Sequence, residues 1–510
     1  MSHIPVRPLR SWATLLLVLG LCSLLAADHG PRQHALDLWM TYRDADAAAA
    51  FEKLGGDPIA RLNSLQIRAM ALIRELEAGP DNARAMAIRQ ELRTMGRQCQ
   101  TVGSNDRTIR FLASHHGGRL LLAAGDTLAA LGALKSARSL DPGNQQNGRL
   151  LLVATEKLGS PTDLETAARQ QLKDRPDNPW CWWFLGKALQ RQGRQAEALD
   201  QWRQGLEVFP LRPMLEAAIR EAGPRDPARS RAWLETLARR YTHVYDDSLL
   251  HGFARAQGVE HLLAGLPSVT SLRERENRGF PQFFPVGREW EYAVSFGIIP
   301  LGSLIVGVRG EETIPDSGGR KAMRVYYKID SNPIYTWLID LHDEYESLIP
   351  LHCLHSLEFN QFSTEGNDRY ENKYRSDFQR GEMSIRGYHK AGDVHIETLP
   401  LAQEVFDGLS LLYAARRQVR ENTYGPVLTV VDEEMHRTLI EPDGRDEIKL
   451  GNRRQPVIMV HGLADYQGIA GLTGEFWGSF TDDAKALPVE AKFQIKVGRI
   501  SLKLKDTRDR

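Results

Sequence analysis

The sequence predicts a multidomain α + β protein, with an all-α solenoid of helical repeats followed by a mainly antiparallel β domain that contains one helical insertion. Three observations predict it. Glycines and prolines recur with one period in the first half, and apolar residues alternate with a period of two in the second half. A proline-rich, charged connector separates the two patterns. The alternation predicts a curled sheet or a barrel-like sheet.

The first residues have the pattern of a secretory signal peptide. Arg7 and Arg10 precede an apolar run from Trp12 to Ala27, which is shorter than the roughly 20 apolar residues of a membrane-spanning helix. We therefore expect cleavage after Ala27 and an exported mature chain. An uncleaved membrane anchor is the alternative, because the bulky side chain of Leu25 suits signal peptidase poorly.

Charge and cysteine content exclude several classes of function. Lys plus Arg number 65 and Asp plus Glu also number 65, so the net charge gives no reason to expect nucleic acid as a partner. Beyond Cys22 in the signal, the cysteines are Cys99, Cys181 and Cys353, with no C-x-x-C pair. That spacing does not form a disulfide framework or a zinc site, so we expect buried thiols.

Helical repeats are the clearest signal in the first half. Three glycines lie 34 residues apart, and so do three prolines, each of them half a repeat after its glycine. The repeated residues are Gly125, Gly159 and Gly193, and Pro142, Pro176 and Pro210. The glycines suit the turn between two helices, and the prolines suit the end of the second helix.

The third copy contains the fullest pattern. Its marked positions are Trp182, Leu185, Gly186, Leu189, Ala198, Trp202, Gly205 and Pro210. This pattern resembles the tetratricopeptide repeat, and the resemblance implies stacked helical hairpins whose concave face binds a protein or peptide. We expect Trp182 and Trp202 to be buried between hairpins. The pair His115-His116, before two glycines, is interpreted as a helix entry.

Strand periodicity begins after the connector. From Arg288 to Phe296, aromatic and aliphatic residues share one face and charged residues the other, and the pattern recurs in later segments. A helix is predicted from about Leu399 to Arg420, and the strand count between residues 423 and 469 is left open. Near the end, the apolar phase shifts by one residue, which predicts a β-bulge at Gly498-Arg499 within one strand.

Aromatic residues are the candidate ligand-binding residues of the β domain. They are Trp290, Tyr292, Trp337, Tyr370 and Tyr374. Because each lies opposite charged neighbours on its strand, we expect these side chains to point inward together. Two interpretations remain open, an ordinary packed core and a cavity for a lipid or another apolar ligand.

The second half resembles the bacterial secreted family named domain of unknown function 3108. The matching stretches are Pro285 to Tyr292, Asp407 to Tyr413 with Arg416, and Trp477 to Val489. The resemblance implies a periplasmic, β-rich domain. It implies no established activity and no catalytic residues.

Motifs of catalysis and metal binding are absent from the sequence. It contains no G-x-S-x-G and no H-E-x-x-H. In the group His342-Asp343-Glu344 with His352 and His355, strand alternation separates the side chains, so no metal site is expected. The carboxylate pairs Glu433-Glu434 and Asp482-Asp483 are interpreted as turn residues rather than glycosidase acids. We expect no cofactor.

These observations divide the chain into a signal peptide over 1–27, helical repeats over 32–265, a linker over 266–284 and a β-rich domain over 285–506. The function they favour is that of a non-enzymatic periplasmic or cell-envelope protein. Its solenoid docks a protein partner, and its β domain binds something or has a structural role. One alternative is a β domain that carries a lipid or another apolar ligand. A second is an envelope hydrolase without a recognisable motif.

Overall fold

The structure, a computed structural model, describes residues 30–208, 211–222, 228, 231, 255, 258–262, 280–314, 321–335, 340–351, 354–366, 368–377, 382–401, 405–431, 433–450, 453–464, 474–494 and 498–509. Helices form the first part of these residues, and a 15-stranded, mostly antiparallel sheet forms the second. The predicted fold class is therefore confirmed.

Helices joined by short connections make up the first part. They are α1 (30–40), α2 (Asp44–Glu52), α3 (Pro58–Glu77), α4 (Asn82–Gln100), α5 (Arg107–Ala123), α6 (Thr127–Leu140), α7 (Gln145–Lys157), α8 (Pro161–Asp174), α9 (Pro179–Arg191), α10 (Gln195–Val208) and α11 (Arg212–Ala222). Capping side chains determine several of the starts, because each accepts a hydrogen bond from a first-turn N–H group. The capping residues are Asp57, Asp81, Asp106, Asn144, Ser160 and Asn178.

The repeat glycines have one shared backbone conformation. Gly125, Gly159 and Gly193 end the first helix of successive hairpins with φ values of +79°, +87° and +77°. This left-handed conformation costs glycine little and costs residues with a Cβ more, which explains the glycine at each 34-residue interval. The repeat predicted from sequence is thus a repeat of backbone geometry.

Packing within the third hairpin depends on the absence of a side chain at Gly186. A Cβ at this position would overlap the indole of Trp202, which is only 1% exposed. The predicted burial of Trp202 is confirmed. Trp182 is only partly buried, with its indole nitrogen donating to the Pro176 carbonyl at 3.0 Å, so the prediction for this residue was too strong.

His115 and His116 do not mark a helix entry, contrary to the sequence interpretation. Both are buried in the middle of α5. The glycines that follow them serve helix packing instead, because a Cβ at Gly117 would lie 2.9 Å from the Gly96 carbonyl oxygen of α4, and one at Gly118 would lie 2.7 Å from the Leu134 side chain of α6. Paired glycines inside a helix therefore indicate close helix contacts here, not a helix end.

The second part is built from 15 strands. They are β1 (Arg288–Phe296), β2 (Ile299–Thr313), β3 (Lys321–Ser331), β4 (Leu341–Pro350), β5 (Glu358–Glu365), β6 (Asp368–Asp377), β7 (Glu382–Tyr388), β8 (Val394–Pro400), β9 (Val405–Phe406), β10 (Gly425–Val431), β11 (Glu434–Leu450), β12 (Arg453–Ala464), β13 (Gly474–Thr481), β14 (Pro488–Gln494) and β15 (Arg499–Asp509). The region 423–469, whose strand count the sequence left open, contributes β10, β11 and β12.

Two antiparallel meanders form this sheet and meet where β1 pairs with β15. The described edges are β8 and β9, and β9 pairs with β10 in parallel. Helix α12 (Ser410–Glu421) lies between β9 and β10 along the chain, and it begins later than predicted. Its start is determined by Asp407, whose Oδ1 accepts hydrogen bonds from the N–H groups of Leu409 and Ser410 at 2.7 and 2.8 Å.

The prediction of a β-bulge at Gly498-Arg499 is wrong, because the chain turns back there. Instead of one strand with a bulge, β14 and β15 form an antiparallel pair in which Phe493 faces Ile500. Reversal of the chain therefore produces the phase shift in the apolar pattern. Gly498 has a φ of +91°, which fits its place at the start of the returning strand.

Two compact units divide the chain. The first comprises residues up to Pro142 together with Ala391–Val394, and the second comprises Gly143–Lys390 and His395–Arg510. Within the second unit, buried residues of α7–α11 and of the sheet belong to one continuous hydrophobic cluster. Cys99 and Cys181 are buried thiols that form no disulfide, as expected. Among the described helices, none combines the length and apolar character needed to cross a membrane.

Candidate functional site

Three of the five predicted ligand-binding aromatic residues lie in one buried hydrophobic cluster. Trp290 and Tyr292 are buried on β1, and the Tyr292 hydroxyl donates to the Pro488 carbonyl at 2.9 Å. Tyr374 is buried on β6, where its ring packs 5.2 Å from that of Phe359, centroid to centroid. Tyr370 is partly buried, and Trp337 lies outside the described residues.

A small cavity adjoins Tyr374. It is lined by Ser356, Phe359, Tyr374, Ser376, Met383, Val405, Asp407 and Val430, and it has essentially no room for a molecule the size of water. Pockets for drug-sized ligands have volumes of roughly 300–1,000 Å³. This cavity is therefore below the size that a lipid needs. Ligand binding by the five aromatic residues stays a prediction.

Arg416 of α12 organises the surroundings of Trp290. Its guanidinium is fully buried and donates to the Phe283 carbonyl at 2.9 Å and twice to the Lys485 carbonyl, at 3.2 and 2.9 Å. It also lies 4.3 Å from the ring centre of Phe283 and 5.9 Å from that of Trp290. Burial lowers the pKa of Arg416 to about 10, so the arginine remains charged at neutral pH.

These contacts give the Asp407–Arg416 motif a structural role. Asp407 is buried and caps α12, and the Ser347 hydroxyl donates to its Oδ1 at 3.1 Å. Arg416 links the same helix to the segments around Phe283 and Lys485 through their carbonyl groups. The motif holds α12 in place.

The turn between β10 and β11 places two glutamates in different environments. Val431 pairs with Glu434 across the turn, and Glu433 adopts a φ of +60°, a conformation that is uncommon for a residue with a side chain. The predicted turn role of Glu433 and Glu434 is confirmed for the backbone. Their side chains, however, have specific buried partners that the sequence interpretation missed.

His389, His395 and Glu433 form a cluster, named here the His–Glu cluster. The Nε2 of His389 lies 3.2 Å from Glu433 Oε2, and the Nε2 of His395 lies 3.3 Å from Glu433 Oε1. The two imidazole rings stack with a centroid distance of 4.2 Å. One nitrogen from each histidine and one carboxylate oxygen all lie within 4.8 Å of one another.

Burial differs among the three residues of the His–Glu cluster. The side chain of His395 is 4% exposed and that of Glu433 is 13% exposed, whereas that of His389 is 44% exposed. Burial alone would raise the pKa of Glu433, but the nearby His395 and His389 outweigh it and lower this pKa well below its usual range. Glu433 is therefore a carboxylate at neutral pH.

Asn372 on β6 supports the carboxylate of Glu433. Its amide nitrogen donates to Glu433 Oε1 at 3.3 Å, and its side chain is buried. Asn372 faces Gly387 across the β6–β7 pair, where a Cβ would overlap the Asn372 amide. The glycine thus leaves the room that the amide needs beside the His–Glu cluster.

Glu434 interacts with the helical region of the same unit. Arg175, between α8 and α9, donates to Glu434 Oε2 at 3.1 Å and also binds Asp177 through two hydrogen bonds. The backbone N–H of Gln145 donates to Glu434 Oε1 at 3.3 Å. Nearby, burial and then Arg175 lower the pKa of His436 to about 4, so His436 is neutral at pH 7.

Sequence reasoning missed the His–Glu cluster because its members belong to no motif. The histidines flank the loop between β7 and β8, and Glu433 comes from a distant turn that only the sheet topology brings near. The group around His342, for which the sequence predicted no metal site, is described only in part. His342 is exposed and contacts Asp330 at 2.9 Å, Asp343 is buried, and His352 lies outside the described residues.

Comparison with known proteins supports the resemblance of the second half. Residues 291–505 match the family model described as Protein of unknown function (DUF3108). No curated protein matches the chain.

Three solved structures are among those that resemble parts of this chain. MamA is 15% identical over 34% of this chain and 94% of its own, with a TM-score of 0.27. YrrB, described as a TPR protein with an unusual peptide-binding site, is 12% identical over 36% of this chain and 87% of its own, with a TM-score of 0.29. A beta-barrel-like protein of the domain of unknown function DUF1849 from Brucella abortus is 8% identical over 44% of this chain and 98% of its own, with a TM-score of 0.30.

Proposed function

We propose that this protein is a non-enzymatic component of the bacterial cell envelope, exported to the periplasm, whose helical hairpins bind an extended segment of a protein partner. Export is supported by the charged and apolar pattern of residues 1–27. Binding of such a segment is supported by hydrogen bonds between two side chains of α3 and the backbone of residues 392–394. N-terminal sequencing of protein from its native host tests export: a start near Asp28 is expected, and an intact Met1 in the membrane fraction would contradict cleavage.

Two amide side chains of α3 hold a stretch of polypeptide backbone, and we name them the backbone clamp (Asn63 and Gln66). The Asn63 side chain donates to the Gly392 carbonyl at 2.7 Å and accepts from the Val394 N–H at 3.0 Å. The Gln66 side chain donates to the Val394 carbonyl at 3.0 Å. Both amides are buried, at 2% and 1% exposure. This contact lies within the first compact unit.

The backbone clamp forms hydrogen bonds with main-chain groups, so binding to it depends little on the side chains of the bound segment. The bound stretch runs from Gly392, whose φ is +82°, into the start of β8 at Val394. A side-chain amide carries both the donor and the acceptor that match the main-chain groups of such a segment. A second contact of this kind occurs in the other unit, where Arg149 of α7 donates to the Thr398 carbonyl at 3.4 Å. We therefore expect a partner to present an extended segment that competes with residues 392–394 for the backbone clamp.

Crosslinking of the full chain in a periplasmic extract, followed by affinity capture and mass spectrometry, tests partner binding. Asn63→Leu removes the donor and acceptor of the backbone clamp while keeping a similar volume. Gln98→Leu is the matched control, because Gln98 is an exposed amide residue on the neighbouring helix α4. We expect the wild type and the control to capture a specific partner. Asn63→Leu should capture at least about tenfold less of it, because the variant loses a buried hydrogen-bonded contact.

A competition measurement does not depend on the folding of the variant. A synthetic peptide with the sequence of residues 389–396, added to the wild-type protein, should reduce partner capture because it offers the same backbone groups to the backbone clamp. Equal capture with and without the peptide, or equal capture by Asn63→Leu and Gln98→Leu, would refute binding at this place. The absence of any specific partner would refute the function itself.

A further inference from the structure

The His–Glu cluster has the ligand types of a metal site. Two imidazole nitrogens and one carboxylate oxygen are a set that Zn²⁺ accepts from proteins, with the fourth position left to water. Ligands about 2.1 Å from a tetrahedral ion lie about 3.4 Å from one another. His389 Nε2 lies 3.2 Å from Glu433 Oε2 and His395 Nε2 lies 3.3 Å from Glu433 Oε1, both close to this separation. One ligand atom from each residue lies within 4.8 Å of the other two, so a small adjustment of the half-exposed His389 would bring the set around one ion.

The hydrogen bonding of the His395 ring favours a metal site over a simple network of hydrogen bonds. Among the described residues, neither ring nitrogen of His395 makes a hydrogen bond of good geometry, although Nε2 lies 3.3 Å from the carboxylate. The ring is nevertheless buried. Buried polar groups in proteins almost always have a partner, and an ion held by His389, His395 and Glu433 would supply one to the His395 ring.

The surroundings provide support and an entry path. Asn372 donates to the carboxylate of Glu433, which is how groups around a metal site orient its ligands. His389 is half-exposed, so its ring can adjust and an ion or a water can reach the His–Glu cluster from solvent. His395 and Glu433 are held by the surrounding protein.

We infer that His389, His395 and Glu433 bind one divalent transition-metal ion of the Zn²⁺ class. The ion would join the two ends of the β7–β8 loop to the β10–β11 turn, and it would offset the charge of a carboxylate buried in the sheet. This role is independent of partner binding by the helical hairpins.

Metal titration of the full-length chain, prepared without a histidine tag and freed of metal with a chelator, tests the inference. Zn²⁺ binding is measured by calorimetry, and Co²⁺ binding by its visible absorption. We expect one ion per chain and a rise in the unfolding midpoint with Zn²⁺. His389→Ala and Glu433→Gln should each weaken binding at least about tenfold, and Asn372→Ala should weaken it about tenfold without changing the stoichiometry.

His342→Ala is the matched control. His342 also lies near two carboxylates, at 2.9 Å from Asp330 and 3.4 Å from Asp340, but these groups are exposed. Its loss should leave Zn²⁺ affinity unchanged. Absence of binding, affinity unchanged in His389→Ala, or an equal loss in His342→Ala would overturn the inference. If Glu433→Gln does not fold, the half-exposed His389 decides the outcome, because circular dichroism of the metal-free His389→Ala variant can establish its fold.

Discussion

Replacing Arg416 with methionine removes a buried charge but leaves its partners in place. The carbonyl groups of Phe283 and Lys485 would then lose the donors that now lie 2.9–3.2 Å away. A buried acceptor without a donor costs roughly 1–3 kcal/mol, so two of them cost about 4 kcal/mol. Loss of the guanidinium from the face of Phe283 adds about 1 kcal/mol.

Relief of desolvation acts in the opposite direction. Burial lowers the pKa of Arg416 from 12.5 to about 10, which corresponds to a penalty of roughly 3 kcal/mol for keeping the charge in the core. Methionine carries no charge and escapes this penalty. The net expectation is a decrease of about 2 kcal/mol in the free energy of unfolding.

Urea denaturation followed by near-ultraviolet circular dichroism measures this change. Arg420→Met is the matched control, because Arg420 is exposed on the same helix, and its replacement should change stability by no more than about 0.5 kcal/mol. An Arg416→Met protein as stable as the wild type would show that hydrogen bonds to the two carbonyls only balance the desolvation of the charge. The structural role assigned to the Asp407–Arg416 motif would then be wrong.

Two further predictions concern the second compact unit. The pKa of His436 is about 4 in the folded chain, below the 6.5 of an exposed histidine. Between pH 4 and 6.5 the folded chain therefore binds fewer protons at this residue than the unfolded chain does. The free energy of unfolding should fall as the pH falls through this window, by at most roughly 3 kcal/mol. In urea denaturation at several pH values, the free energy of unfolding of His436→Asn should decline less steeply with falling pH than that of the wild type, since Asp177 and Glu434 titrate in both proteins. Identical slopes would contradict the prediction. Trp202→Ala should lower the free energy of unfolding by about 3–5 kcal/mol. Because one hydrophobic cluster joins α7–α11 to the sheet, hydrogen exchange should show lost protection in both α9 and β4, and a loss restricted to α9 would refute this shared core.

Local patterns account for what could be predicted about the fold. The helical hairpins were recognisable because the same turn needs a glycine at each interval, and the positive φ of Gly125, Gly159 and Gly193 shows the physical cause. The strands were recognisable because side chains alternate between core and solvent, as in β1 with Trp290 and Tyr292 on its buried face.

Errors arose where one local pattern fits two structures. A one-residue shift of the apolar phase fits a bulge as well as a hairpin, and the pairing of Phe493 with Ile500 decides for the hairpin. Glycines after His115-His116 fit a helix end as well as a close helix contact, and the positions of α4 and α6 decide for the contact. In each case the deciding partner is a neighbouring element whose position the local pattern does not contain.

The sequence by itself therefore determined the class of each half, the repeat of the helical part and the turn at Glu433-Glu434, since these depend on residues near one another along the chain. Only the tertiary structure decided which side chains meet. Asn63 holds a backbone 329 residues away, and Glu433 meets His389 across 44 residues, because sheet register and helix packing bring these segments together. The candidate sites belong to this second category, since binding groups that come from separate segments have no spacing for a motif to record.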